Sequence, residues 1–193
     1  RHAVVTYSSD DDGKTWQESN VVDLGGAGHH GGTLEGTLVE RKDKTVWMLL
    51  RTNWGTQWEA ISYDGGRFWR TIRPTSIPTA SAPALVKRLA SGRLVLLWNR
   101  PFPEGKTSYP KQGGDNQWSD TPVSDHREEL SMAFSDDDGL TWSKPDIIAT
   151  VSGGRVSYPY LLEAQPGELW ITTMQGDLRC KVLERDFAPS AGS

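Results

Sequence analysis

Cysteine is nearly absent: Cys180 is the single one in 193 residues. One thiol closes no internal disulfide and builds no thiolate zinc cluster. No run of about 18 apolar residues occurs, the length that a membrane-spanning helix needs. Helical periodicity is scarce as well. Charge of one sign is not in large excess, and the formal net charge of −4 argues against a general nucleic-acid binder. The aspartate runs around Asp11 and Asp137 lack the alternating ligands and closing glutamate of a calcium loop. Neither a metal nor an organic cofactor is expected.

What the sequence does have is tryptophan, nine in all, and a repeat. The pattern Ser-x-Asp-x-Gly-x-Thr-Trp occurs as Ser9, Asp11, Gly13, Thr15, Trp16 and again as Ser135, Asp137, Gly139, Thr141, Trp142. A worn copy, Ser62, Asp64, Gly66, Phe68, Trp69, stands between them. Repetition says that one supersecondary unit is built several times. The motif also has a physical reading. Ser and Asp side chains satisfy backbone N–H groups in a tight turn. Gly supplies a backbone geometry that other residues resist. The Trp is expected to pin the turn to its sheet.

Around these turns, short apolar runs alternate with Gly, Pro, Asn and Asp clusters, the signature of an all-β chain. Strands are predicted at 4–7 and 21–24, then at 34–40, 45–51, 59–62 and 69–72. A third unit has strands at 83–89, 93–99, 129–134 and 147–151, and a fourth at 158–164, 168–174 and 178–183. The chain therefore divides into the end of one unit (1–24), a second (33–73), a third (80–151) and an incomplete fourth (157–187). The Pro-, Gly-, Asp- and Ser-rich stretch 101–127 interrupts the third unit between its second and third strands. A loop of that length is usually functional or mobile.

The octet is the Asp box, and on it the chain resembles the sialidase (neuraminidase) superfamily of Asp-box, or BNR-repeat, β-propellers. The resemblance implies an all-β fold of six four-stranded antiparallel blades, in an extracellular or periplasmic setting. A blade takes roughly 40–50 residues, so this chain would hold three to four of them. The first-blade partners are then expected from elsewhere, because the chain opens on Arg1 and enters a box almost at once. Edge strands left open in such a segment would be sticky, so the isolated segment is expected to self-associate in size-exclusion chromatography.

Strand alternation sorts the residues onto two rims. The boxes lie where third strands end. Starts of first and third strands and ends of second strands lie on the opposite rim. That rim collects Glu35, Arg51, Arg127 and Tyr158. In sialidases a tyrosine is the nucleophile, a glutamate takes its proton, three arginines grip the substrate carboxylate and an aspartate serves as acid and base. By motif context Tyr158 resembles the nucleophile, Glu35 its base, and Arg51 and Arg127 the second and third arginines. The types suit the chemistry. A keto-sugar acid carries its carboxylate on the carbon under attack, which disfavours a carboxylate nucleophile and favours a phenol. A free tyrosine ionises near pH 10, so it needs a base and a positive field. Arginine clasps carboxylates as lysine does not. Arg100, which ends the neighbouring strand, rivals Arg127. His30, beside His29 in a glycine-rich link, and Gln175 are further substrate-binding candidates.

The implied activity is exo-sialidase-like removal of a terminal acidic sugar from a glycan. The family's first arginine and acid–base aspartate have no counterpart here, so the segment alone is expected to turn over no fluorogenic sialoside. Other readings stay open. Glu35 and Arg51 could be a structural ion pair. Tyr158 could be a core aromatic, with Tyr160 on the same side of the strand as its confounder. Trp54, Trp58 and Trp118 could stack on sugars or pack. Asp boxes also occur in propellers that only bind glycans or proteins, and a related propeller could cleave another sugar.

Overall fold

The computed structural model describes residues 1–187, which form fifteen strands and one short 3-10 helix, Glu184–Phe187. β1 (Tyr7–Ser8) pairs with β2 (Gln17–Glu18). β3 (Leu34–Glu40), β4 (Val46–Arg51), β5 (Thr56–Ser62) and β6 (Trp69–Pro78) form a four-stranded meander in chain order. β7 (Leu85–Arg88), β8 (Leu94–Trp98), β11 (Glu129–Ser135) and β12 (Asp146–Thr150) form a second such sheet. Between β8 and β11 lies a small hairpin of β9 (Lys111–Gln112) and β10 (Val123–Ser124). β13 (Ser157–Gln165), β14 (Glu168–Gln175) and β15 (Arg179–Leu183) make the last sheet. Every strand pairing is antiparallel.

The sheets stack face against face, and the inner strands show why. Alternate residues of a strand point to opposite faces. Trp47 and Leu49 of β4 join Leu94, Leu96 and Trp98 of β8 in one core. Met48 and Leu50 face the other way, onto Val22 and Trp69. Val95 and Leu97 of β8 turn to Leu161, Leu169 and Ile171 of the last sheet. A strand buried on both faces reads as a continuous apolar run, as β4 does up to Arg51 and β8 does throughout. The outer strands are shielded on fewer sides and carry more polar residues.

Several elements depart from the sequence reading. Strands at 4–7 and 21–24 are reduced to an isolated Val4–Val22 bridge beside the β1–β2 pair. Ser19 explains this: its hydroxyl accepts the Thr6 N–H at 2.9 Å and donates to the Asn20 carbonyl, groups that a ladder would use. β6 runs on to Pro78 past Pro74, since a strand at the edge of its sheet tolerates proline. β7 starts at Leu85 rather than at residue 83 because the preceding backbone is engaged elsewhere. Thr79, Ala80 and Ser81 donate their N–H groups to the carbonyls of Gly55, Asn99 and Ser124.

The three boxes share one hydrogen-bonded turn. In the last, Gly139 N–H donates to Ser135 Oγ (2.8 Å), and Thr141 donates its N–H to Asp137 Oδ1 (2.8 Å) and its hydroxyl to Oδ2 (2.5 Å). The first repeats this with Ser9, Asp11, Gly13 and Thr15. In the middle box Asp64 accepts the Phe68 N–H at 2.9 Å, but Phe68 has no hydroxyl to add. Glycine is needed at Gly139 twice over: its φ is +86° and a Cβ there would lie 2.9 Å from Trp47. Trp69 is buried and Trp142 packs on the core, as anchors should. Trp16 is not an anchor. It is 61% exposed and bonds back to its own turn through Gly13 O, with no described sheet flanking that side.

Candidate active site

At the opposite rim, four segments far apart in sequence converge. Arg51, at the end of β4, is 2% exposed. Its Nη1 donates to Glu35 Oε2 at 2.6 Å and lies 3.4 Å from the Tyr158 hydroxyl. Tyr158 donates that hydroxyl to Glu35 Oε1 at 3.0 Å. Carboxylate, phenol and guanidinium thus form a closed triangle. Arg127 comes from just before β11, and its guanidinium carbon lies 5.5 Å from the centre of the Tyr158 ring.

The backbone bends to achieve this. Glu35 has φ 41° and Tyr158 has φ 60°, both in the left-handed region. Side chains of this size rarely occupy it, and it costs of order 1–3 kcal/mol per residue. At Glu35 the departure coincides with a β-bulge: Leu34 pairs with Arg51, yet the next partners are Thr37 and Leu49. The extra residue re-aims the side chain at the sheet's rim. At Tyr158 the left-handed turn cancels the period of two, so Tyr160 is no confounder. It stays on the outer face, 61% exposed.

Arg127 is held from three sides. Its Nε donates to Asp125 Oδ1 (3.0 Å), its Nη1 to Gln175 Oε1 (3.0 Å) and Ser157 Oγ (3.4 Å), and its Nη2 to the Ser81 carbonyl (2.6 Å). Burial disfavours its cation and holds it below the ordinary guanidinium pKa; Asp125 offsets part of this, and the nearby Arg51 charge adds to it. Gln175 therefore stands beside the arginines as an acceptor, bonded also by Ser157 at 2.6 Å. Arg100 does not join the group. Its Nε donates to Ser131 and its Nη2 pairs with Glu104 at 2.6 Å, so its charge is spent on the insertion side of the sheet.

His30 borders the site through its backbone and ring. Its carbonyl accepts Asn53 Nδ2 at 2.9 Å, and its ring stacks on Trp118 with centroids 4.7 Å apart. Burial first, and the Arg51 charge second, push the imidazole below its ordinary pKa. The insertion is stitched to the glycine-rich link: His30 N–H donates to Trp118 O and Asp120 N–H to Ala27 O. A Cβ on Gly28 would meet Ser119 N at 2.8 Å, so only glycine permits this approach. Trp54 packs against Trp58 instead, at 5.3 Å. Sequence reasoning missed Ser81, Asn53, Asp125 and Ser157. Proximity to Arg127 and Tyr158 in sequence was the one signal for Asp125 and Ser157.

All-β sheets stacked face to face, boxes on one rim and a cluster of charged and phenolic side chains on the other match part of a sialidase-like β-propeller fold. The chain belongs to the BNR repeat-like domain family, which it matches over residues 1–171. Among solved structures it is similar to the NanB sialidase of Streptococcus pneumoniae, at 16% identity and TM-score 0.64 over 96% of this chain and 28% of that one. It is similar to the intramolecular trans-sialidase of Ruminococcus gnavus, at 18% identity and TM-score 0.60 over 95% and 38%. A Dyadobacter fermentans protein of unknown function is similar at 16% identity and TM-score 0.59 over 91% and 43%. The chain thus spans less than half of each of these structures, and at such identities the likeness concerns the fold. No curated protein matches the sequence.

Proposed function

We propose that this chain carries the nucleophile, its base and two carboxylate-binding arginines of a retaining exo-sialidase-like glycoside hydrolase. The observation that carries the reading is the Tyr158–Glu35 hydrogen bond of 3.0 Å, bridged by Arg51. Glu35 takes the phenolic proton as the tyrosine oxygen attacks the anomeric carbon, and the departing glycosidic oxygen leaves with a proton from an acid–base carboxyl group that this chain does not carry. Water then cleaves the tyrosyl–sugar bond, giving its proton to that same carboxylate, and the phenolic proton returns from Glu35 to Tyr158. Arg51 and Arg127 supply the positive field that favours the phenolate and receive the carboxylate of a terminal acidic sugar. Two cations drawn together beside a phenol favour an anionic ligand, which is why the acidic substrate is preferred.

The test uses a 3-fluorinated sialosyl fluoride. Its fluoride leaves without an acid catalyst and its 3-fluorine slows hydrolysis of the adduct. Peptide mass spectrometry should find the sugar on Tyr158, and Glu35→Gln should slow labelling by about 10²–10⁴-fold, the range for a lost general base. Labelling of another residue, or none of the wild-type chain, sinks the proposal.

A further inference from the structure

We infer that Ser81 is the positioning residue that sets the two arginines in register; the inference rests on the carboxylate-binding reading above. Ser81 is fully buried, in the bend that precedes β7. Its hydroxyl accepts Arg51 Nε at 3.2 Å and Nη2 at 2.9 Å, and donates to Asn53 Oδ1 at 2.6 Å. Its carbonyl accepts Arg127 Nη2 at 2.6 Å. Both guanidinium groups therefore end on one residue. Its own N–H is fixed by the Ser124 carbonyl at 2.9 Å, at the root of the insertion.

Counting donors sharpens this. A guanidinium has five N–H bonds. Arg51 gives Nε and one Nη2 hydrogen to Ser81, and its two Nη1 hydrogens to Glu35 and Tyr158. Arg127 gives Nε to Asp125, its two Nη1 hydrogens to Gln175 and Ser157, and one Nη2 hydrogen to Ser81. Among the described residues, each arginine keeps one N–H without a partner, and in both it is on the Nη2 that touches Ser81. A carboxylate at this site is straddled by the pair, one hydrogen bond from each, rather than clasped by either alone. Spacing between the two nitrogens then decides affinity, and Ser81 sets that spacing. Asn53 orients the hydroxyl: by accepting its proton it leaves the oxygen lone pairs to Arg51.

The experiment compares binding of N-acetylneuraminic acid with binding of its methyl ester by calorimetry, in the wild-type chain and in Ser81→Ala. The wild-type chain should bind the acid more tightly than the ester. Ser81→Ala should weaken the acid by about tenfold or more, the range for a lost hydrogen bond to a charged group, and leave the ester unchanged. General loosening would weaken both alike and leave their ratio intact. Ser81→Thr, which restores a hydroxyl, should recover part of the ratio. Should Ser81→Ala fail to fold, Asn53→Ala decides, with a smaller fall in the ratio expected. A wild-type chain that does not discriminate acid from ester overturns the carboxylate reading itself. Discrimination that survives Ser81→Ala, or Asn53→Ala in its place, overturns the role of Ser81 alone.

Discussion

Asp137, at the box rim, finds its partners within four residues: Ser135 and Thr141 supply every hydrogen bond that its carboxylate accepts from side chains, and Thr141 adds its N–H. Glu35, at the opposite rim, is met by Arg51 from the next strand and by Tyr158 from 123 residues away. One carboxylate is held by its own turn, the other by the packing of several sheets. A local turn can be perturbed without disturbing distant groups. A site assembled over long range depends on the register of each sheet, and its polar groups close no hairpin of their own. The two rims should therefore respond oppositely to substitution.

The largest effects test that dissociation. Tyr158→Phe keeps the ring and removes the proposed nucleophile. Turnover of a sialoside by the whole protein should fall by about 10³-fold or more, while stability in urea changes by less than about 1 kcal/mol, one hydrogen bond's worth. Asp137→Ala should do the reverse. It strips acceptors from the Thr141 N–H and hydroxyl, much as losing a helix cap does, and should cost about 1–2 kcal/mol. Affinity for an acidic sugar should stay within about twofold, since additivity holds between distant sites. Loss of binding in Asp137→Ala would join the rims into one unit and break the comparison.

Legibility in the sequence follows the same division. The boxes could be read because their chemistry is local: Ser, Asp, Gly and Thr at fixed spacing describe the hydrogen bonds of Ser135, Asp137, Gly139 and Thr141 almost one by one. Apolar runs such as Val46–Arg51 revealed strands for a related reason, since burial on both faces leaves no polar alternation. At the other rim, topology suggested which residues share an end but not which touch. Arg100 and Arg127 looked alike, and only the partners Glu104 and Asp125 separate them. Ser81 was illegible in Thr-Ala-Ser-Ala-Pro-Ala, because a serine's role depends on what lies opposite it in space. The left-handed turns at Glu35 and Tyr158 were hidden too, as neither residue type advertises a positive φ.

Acidity separates the rims in a second way, with smaller effects. Hydrogen bonds from the Thr141 hydroxyl and N–H hold Asp137 at a pKa of about 2, below the ordinary carboxylate value. The unfolded chain then binds more protons than the folded one, so this contribution is complete above about pH 4 and is lost as pH falls toward 2. Asp11 and Asp64 are lowered in the same direction by their own turns. His30 is also lowered, by burial and by Arg51. Its contribution is present above the ordinary imidazole pKa, about 6.5, and declines as pH falls through the depressed value. Urea titrations should therefore show two windows. Asp137→Asn should flatten the slope between about pH 4 and 2, and His30→Gln the shallower slope below about pH 6.5. A single variant that removes both would show that the rims titrate together.

The smallest effect concerns the backbone, which enters the left-handed region at both rims. Asp12 sits in the first box with φ 57°, close to the 60° of Tyr158. Angle alone does not measure strain. A short side chain such as aspartate hydrogen-bonds locally and visits this region readily, whereas a tyrosine before proline gains no such bond. Replacing Asp12 with glycine relieves little strain and adds unfolded-chain entropy, two small terms of opposite sign. Asp12→Gly should thus shift stability by less than about 0.5 kcal/mol, read from urea midpoints. The box turn is then relaxed as built, in contrast to Glu35 and Tyr158 at the other rim. A gain above about 1 kcal/mol in Asp12→Gly would place comparable strain in the box and remove that contrast.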